Sequence, residues 1–295
     1  MIVEELFESF FLFLLLAAVG DIIVERSGVL NLGIDGFITL IFALCYSATI
    51  AYGPVASLAL VLVAGALYAL LIALFVNLLH SSHVLTGLVT NMVFYGLSVL
   101  IGYWGLDLAT ERGVPRTLSI SIPLDWRTVL ALSILTVSAT WVFLYKTRIG
   151  TAVRACGYNP RSADYLGVNV WRTRLLSLVL GYIIIALGGY VYVLFYSKAW
   201  TPYIGMGYGF LALALAISSL WHPLLIALPT VIFSYLLRSL YVYQLEYGIS
   251  QHILSMIPYL ASIVFITAVI ASPLGKKLPI PKALGEIYYK EERAA

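Results

Sequence analysis

The sequence predicts an all-α integral membrane protein, a single domain over 1–295 that crosses the bilayer about nine times (eight to ten). Three observations lead there. The composition is 62% hydrophobic, with 17 basic and 14 acidic side chains, so 11% of residues are charged, against roughly 25% in an ordinary soluble domain. A mean hydropathy of +0.99 over 295 residues is more apolar side chain than one globular core can hide. Apolar runs also recur at the length, about 20 residues, that a helix needs to cross ~30 Å of hydrocarbon. Finally, Lys and Arg gather in two segments instead of spreading evenly. The same arithmetic excludes a disordered chain, a disulfide scaffold (two Cys) and a nucleic-acid binder with a basic face.

In chain order the runs are 7–24, 29–51, 55–79, 85–104, 128–145, 175–196, 207–220, 224–243 and 253–271. They are continuous, not alternating, which favours helices over barrel strands, and helices satisfy their own backbone in lipid. Two are irregular. The second opens on Asn31-Leu32-Gly33-Ile34-Asp35-Gly36, and the seventh is short and runs into His222-Pro223. Either one can be a broken or re-entrant helix. Gly65, Ala69 and Ala73 form a small-residue ladder, and Gly181, Gly188 and Gly189 supply another, both suited to close helix packing.

Orientation follows from the cations. Segment 146–174 carries Lys146, Arg148, Arg154, Arg161, Arg172 and Arg174, and the tail 272–295 carries Lys276, Lys277, Lys282, Lys290 and Arg293. Both are expected to be cytoplasmic, and the even number of runs between them agrees. The N-terminus then lies outside, where Glu4, Glu5 and Glu8 stand without a cation, a start unlike that of a cleaved signal peptide.

An ionisable side chain at membrane depth costs about 2.5–3.5 kcal/mol on insertion scales and so invites a functional reading. Asp21, Glu25, Asn31, Asp35 and Asn91 are the candidates for a translocation path or gate. Glu25 and Arg26 have a competing expectation, reaching to water at the interface. Asn91 likewise can be interhelical glue. Arg238 is expected to snorkel outward. His80 and His83 stand three apart without a neighbouring acid and read as a polar turn. No metal site, nucleophile elbow or phosphate loop is present, so the chain is not expected to be an enzyme or to hydrolyse ATP.

The segment 149–168 reads differently. Asn159 suits an N-cap, Pro160 the first helical turn and Gly167 the position after the last, which predicts a helix of about two turns. Ala163 and Leu166 are available to one apolar face. A short helix capped at both ends in a cytoplasmic loop is a docking surface, and Gly157 and Asp164 are expected to touch none of the membrane body's packing.

These residues carry a resemblance. Glu25-Arg26-Ser27-Gly28-Val29-Leu30-Asn31-Leu32-Gly33-Ile34-Asp35-Gly36 resembles a segment of the permease subunits of ABC importers for simple sugars and nucleosides, in the branched-chain amino acid and ribose permease group. Thr86-Gly87-Leu88 with Asn91, Arg148 to Gly167, Gly207 with Gly209-Phe210, and Ala283-Leu284-Gly285 continue it along the chain. One departure is Ser218-Ser219-Leu220-Trp221-His222-Pro223, where relatives often carry a Gly and a basic residue. The resemblance implies a permease whose coupling helix lies in 150–167, with Arg154, Gly157, Asn159, Pro160, Ala163, Asp164 and Gly167 meeting a cytoplasmic ABC ATPase. It also implies a second, related permease and an extracytoplasmic binding protein or lipoprotein. ATP and Mg would sit on the ATPase, with no cofactor on this chain, no nucleic-acid partner and lipid all around. A proton-coupled secondary transporter using Asp21 or Asp35 is the rival reading.

Overall fold

A computed structural model describes residues 6–118, 124–248, 250–273 and 280–290. Glu4, Glu5, Lys276, Lys277 and Arg293 lie outside the described residues. Among the described residues all regular structure is helical: α1 Ser9–Glu25, α2 Ile34–Tyr52, α3 Pro54–Ala73, α4 His83–Glu111, α5 Trp126–Lys146, α6 Arg148–Tyr158, α7 Pro160–Tyr165, α8 Val170–Val191, α9 Tyr208–Ser218, α10 Ala227–Tyr247 and α11 Gln251–Ala271. Two helices loosen into π-turns at one end, α3 over Leu74–Leu78 and α8 over Tyr192–Ser197. Each predicted apolar run coincides with a helix. Five helical stretches, Ile34–Tyr52, Pro54–Leu78, His83–Glu111, Trp126–Lys146 and Val170–Ser197, are long and apolar enough to cross a membrane. The chain is therefore polytopic.

Helix α1 is the axis of the bundle. Apart from Asp21 and Glu25 near its end it is apolar on every side, and every residue from Ser9 to Glu25 is buried. Helix α8 lies along it, the two meeting at Gly20 and Gly181, and Gly65 of α3 abuts the Tyr182 carbonyl on α8. Both small-residue sets therefore do the packing expected of them. Helix α2 is sandwiched by α3 and α4. The aromatic side chains serve this interior: Phe42 stacks on Tyr192 at 4.2 Å and Phe37 on Tyr68 at 4.8 Å. The outward faces of α3 and α4 are bare and apolar, with Leu67, Leu85, Val89, Met92 and Leu100 exposed.

Helix starts fall into two kinds. At the Lys/Arg-rich end they are capped locally: Thr147 accepts from Gly150 N at 2.9 Å, Asn159 from Ser162 N at 2.9 Å and Asn169 from Arg172 N at 3.0 Å. In the interior they are not. Helix α2 starts at Ile34, five residues after the run begins, because 26–33 is non-helical with Gly28 at φ +90°. Helix α9 has only 11 residues and follows a run of turns from 201 to 207. Neither Gly33 nor Gly207, their N-caps, has a side chain to offer.

The segment 280–290 returns to the end where α6 and α7 lie. Ala283 N donates to the Gly157 carbonyl at 2.9 Å, and Gly285 N to the Gly28 carbonyl at 3.0 Å. The two cation-rich segments thus share one end of the molecule, while Leu118 N bonds the Lys198 carbonyl at 2.7 Å in another part of the chain.

Candidate functional site

The interior polar residues form two adjoining clusters around the non-helical stretch 26–33. In the first, Asn31 folds back on α1: its Nδ2 donates to Asp21 Oδ1 at 2.7 Å, and its Oδ1 accepts from the Tyr182 hydroxyl. Glu25 Oε2 accepts from Trp221 Nε1 at 2.6 Å, and Glu25 Oε1 lies 3.5 Å from Asn31 N. Arg26 turns to the α9–α10 connection, where its Nε donates to the Trp221 carbonyl at 2.8 Å. Leu220 and Trp221 hold left-handed backbone there (φ 54° and 51°), which aims both carbonyls at the guanidinium. Glu25 and Arg26 are 0% and 3% exposed. The expectation that they reach water is therefore corrected: the chain folds Trp221 over them. The segment that departs from the family pattern is the one that supplies this cover.

The second cluster closes the two interior helix starts. Asn91 on α4 accepts from Gly36 N at 2.7 Å and donates to the Leu32 carbonyl at 2.7 Å, gripping the backbone on both sides of the α2 start. Asp35, in the first turn of α2, accepts from Gly207 N and Gly209 N of α9 at 2.9 and 2.7 Å, and from the Tyr95 hydroxyl. One carboxylate thus sits among the free N–H groups of a half-helix, where the helix dipole also favours negative charge. Lipid offers no partner to those groups, so distant side chains must. Gly209 permits this arrangement, since a Cβ there would fall 2.3 Å from Asp35 Cα.

The five polar residues singled out in the sequence all lie in these two buried clusters, together with Tyr95, Tyr182 and Trp221, which the sequence did not single out. Their signal was present in kind: each is an aromatic with a polar tip. Nothing in the chain order brings them to Asp35, Asn31 and Glu25. Asp21 Oδ2 has no hydrogen-bond partner among the described residues. His83, read as part of a polar turn, accepts from Leu30 N at 3.1 Å and so also holds the 26–33 stretch. Arg238 does not simply reach outward; it pairs with Glu8 at 2.5 Å.

The segment 148–165 is built as two helices, not one. Helix α6, absent from the sequence reading, precedes the capped α7. Gly167 N and Val168 N close α7 on the Asp164 and Ala163 carbonyls, with Gly167 at φ +87°. Pro160 and Ala163 face inward, and Ala163 packs with Cys156, Val170 and Tyr288. Leu166 does not share that face: it is 84% exposed beside Tyr165 at 71%. Gly157 is likewise not clear of the body. A Cβ there would meet the Arg26 carbonyl oxygen at 2.2 Å, so α6 rests directly on the 26–33 stretch. Arg174, 1% exposed, reaches the Ser27 carbonyl at 3.4 Å and the Glu286 carbonyl at 3.2 Å, stitching the tail to the same place. Burial pushes the Cys156 thiol up to about 11 and the Tyr288 phenol up to about 12, the latter helped by its hydrogen bond with Asp164. Arg154 lies over the Tyr145 ring at 4.6 Å.

Residues 5–272 match the family described as branched-chain amino acid transport system, permease component. The nucleoside ABC transporter permease protein NupC of Lactococcus lactis subsp. cremoris is 29% identical, covering 95% of this chain and 94% of its own. The guanosine ABC transporter permease protein NupQ of Bacillus subtilis is 28% identical over the same shares of 95% and 94%. NupB, a nucleoside ABC transporter permease protein of the same Lactococcus, is 25% identical over 54% of this chain and 48% of its own. No solved structure matches the chain.

Proposed function

The chain belongs to the permease-component family of branched-chain amino acid transport systems, and from that premise we propose that it is the membrane-spanning subunit of an ATP-driven importer for a nucleoside or simple sugar. The likeness to nucleoside and guanosine permeases over nearly the whole chain supports the cargo class. In this reading the chain crosses the membrane nine times, with α6, α7 and the tail in the cytoplasm. It performs no covalent chemistry, and ATP and Mg are handled by a separate ATPase. A second, related permease covers the bare outward faces, and a binding protein or lipoprotein delivers the solute. That the same Lactococcus carries two matching proteins each named a nucleoside ABC transporter permease, NupC and NupB, fits a heterodimer.

One observation carries the mechanism. The capped α7 presents Tyr165 and Leu166 outward, while α6, through Gly157, rests on the backbone of Arg26. A push on α7 is therefore delivered to 26–33, the stretch held through Asn31 by Asp21 and Glu25 and through Leu32 by Asn91, and continued at the α2 start by Asp35. Nucleotide binding on the ATPase would bias a two-state rearrangement of that stretch, which is alternating access driven from outside the chain. The five polar residues act as the latch whose partners exchange when the path opens.

The test is Leu166→Glu in cells that also express the ATPase. Leu166 touches little of its own chain, so the variant should keep wild-type thermal stability in detergent while ATPase co-purification and uptake fall together. Uptake that survives deletion of the ATPase, yet collapses with an uncoupler, would replace this reading with proton-coupled transport.

A further inference from the structure

A basic site lies where the residue after α1, helix α6 and the tail converge. A cavity of about 320 Å³ is lined by Arg26, Thr151, Arg154 and Tyr158, with Ile280 and Pro281 as an apolar wall. Among the described residues no acidic side chain lines it. Its two guanidiniums are gathered on one ring: Arg26 donates to the Tyr145 hydroxyl at 3.2 Å, while Arg154 stacks on the Tyr145 face at 4.6 Å. Among the described residues the buried Nε of Arg154 has no hydrogen-bond partner, and its terminal nitrogen reaches Thr151 Oγ1 at 3.5 Å. Lys282 stands 4.7 Å over the Tyr158 ring at the edge of the cavity. Arg26, buried and already donating to the Trp221 and Leu220 carbonyls, and the half-buried Arg154 repel one another across Tyr145, and an anion bridging the mouth of the cavity offsets that repulsion.

The level of the cavity identifies the anion. Tyr145 is at the end of α5, in the turn where Lys146 lies over the Trp141 ring at 5.2 Å. An aromatic with an adjoining cation at the end of an apolar helix is the usual anchor at the headgroup band of a bilayer. Basic pockets between helices on the cation-rich side of a membrane protein bind anionic headgroups. We propose that Arg26 and Arg154 form a binding site for the phosphate of an anionic phospholipid, with the acyl chains leaving along the apolar wall. Arg154 is then shared between membrane and coupling helix, so that α6 moves against a lipid-anchored pivot. The lipid site itself requires only that the chain spans a membrane, whereas its part as a pivot for α6 rests on the importer reading above.

The full-length chain, purified and stripped of lipid, would be titrated with phosphatidylglycerol, phosphatidylcholine or inorganic phosphate and followed by native mass spectrometry and thermal unfolding. Phosphatidylglycerol should be retained and should stabilise, phosphatidylcholine should do neither, and Arg154→Gln should weaken phosphatidylglycerol binding roughly tenfold, the effect of losing one charge-assisted contact. Arg172→Gln, an equal change of charge at an exposed position, should alter it little. Arg154→Lys, which keeps the charge, should recover part of the binding and guards against a variant that merely folds poorly. Equal retention of the two lipids, or equal effects of Arg154→Gln and Arg172→Gln, would overturn the site. Stabilisation by inorganic phosphate alone would refute the lipid. Loss of ATPase association in Arg154→Gln with unchanged lipid binding would assign Arg154 to a carboxylate of the ATPase instead.

Discussion

Replacing Asp35 tests whether its carboxylate is a cap, a part of the path, or both. The side chain is 0% exposed and receives Gly207 N and Gly209 N of α9. Asp35→Leu strands both N–H groups where no water reaches, at about 1–3 kcal/mol each, so roughly 2–6 kcal/mol in all. Removing the carboxylate also removes its own desolvation cost, which brings the expected net loss to about 2–4 kcal/mol. Asp35→Asn keeps one oxygen for the amides and offers Tyr95 a donor in place of an acceptor. It loses only the charge at the start of α9, about 1–2 kcal/mol for a favourable, buried helix terminus. Thermal unfolding of the purified chain in detergent should therefore rank wild type above Asn and Asn above Leu. Uptake in cells, corrected for the amount of protein in the membrane, should fall in Asp35→Asn if the carboxylate also works in the path. A Leu variant as stable as wild type would refute the cap. The graded stability with normal uptake in Asn would leave Asp35 a purely structural residue and withdraw it from the path.

Three further outcomes follow from the same contacts. Gly157→Ala places a Cβ 2.2 Å from the Arg26 carbonyl oxygen, so α6 must lift and the chain should lose about 1–3 kcal/mol of stability along with transport. Wild-type thermal unfolding for this variant would show that α6 does not rest on 26–33. Cys156 is fully buried, and its thiol is pushed up to about 11; a raised thiol stays protonated at pH 7.5, so N-ethylmaleimide should spare it in the folded protein and react after denaturation, while Tyr288→Ala should speed the native reaction. In a background without Cys45 and Cys156, an impermeant thiol reagent should reach Thr117→Cys in intact cells but not Ser162→Cys. Labelling at 162 would invert the proposed orientation.

Helix positions were readable because each is decided within its own stretch. Continuous apolar runs set α1 to α5 and α8 to α11, and Asn159, Pro160 and Gly167 set α7 almost to the residue. The polar candidates were readable too, since membrane depth makes any carboxylate or lone amide conspicuous. Their chemistry was not. Asn91 is 55 residues from Gly36, and Asp35 is 172 from Gly207. No local pattern states that one will satisfy the backbone of the other. Leu166 shows the same limit on a smaller scale: helical spacing puts it near Ala163, but α7 ends at Tyr165 and the chain turns Leu166 outward.

The long-range pairings have a common cause, and it bears on function. Two helices start inside the bundle, at Gly33 and Gly207, and neither start can cap itself. A soluble protein would leave these ends to water; here Ile34 N and Tyr208 N bond locally to the Asn31 and Gly205 carbonyls, while Gly36 N, Gly207 N and Gly209 N take acceptors from another helix. Asn91 and Asp35 are those lenders, and their bonds run from α4 to the α2 start and from the α2 start to α9. Such contacts are strong while made but have no solvent to fall back on when broken, so they exchange together or not at all. That favours two discrete arrangements over a graded one. An importer permease needs this kind of element, and in this chain the same non-helical stretch that Asn91 grips at Leu32 begins where Gly157 of α6 meets the backbone of Arg26.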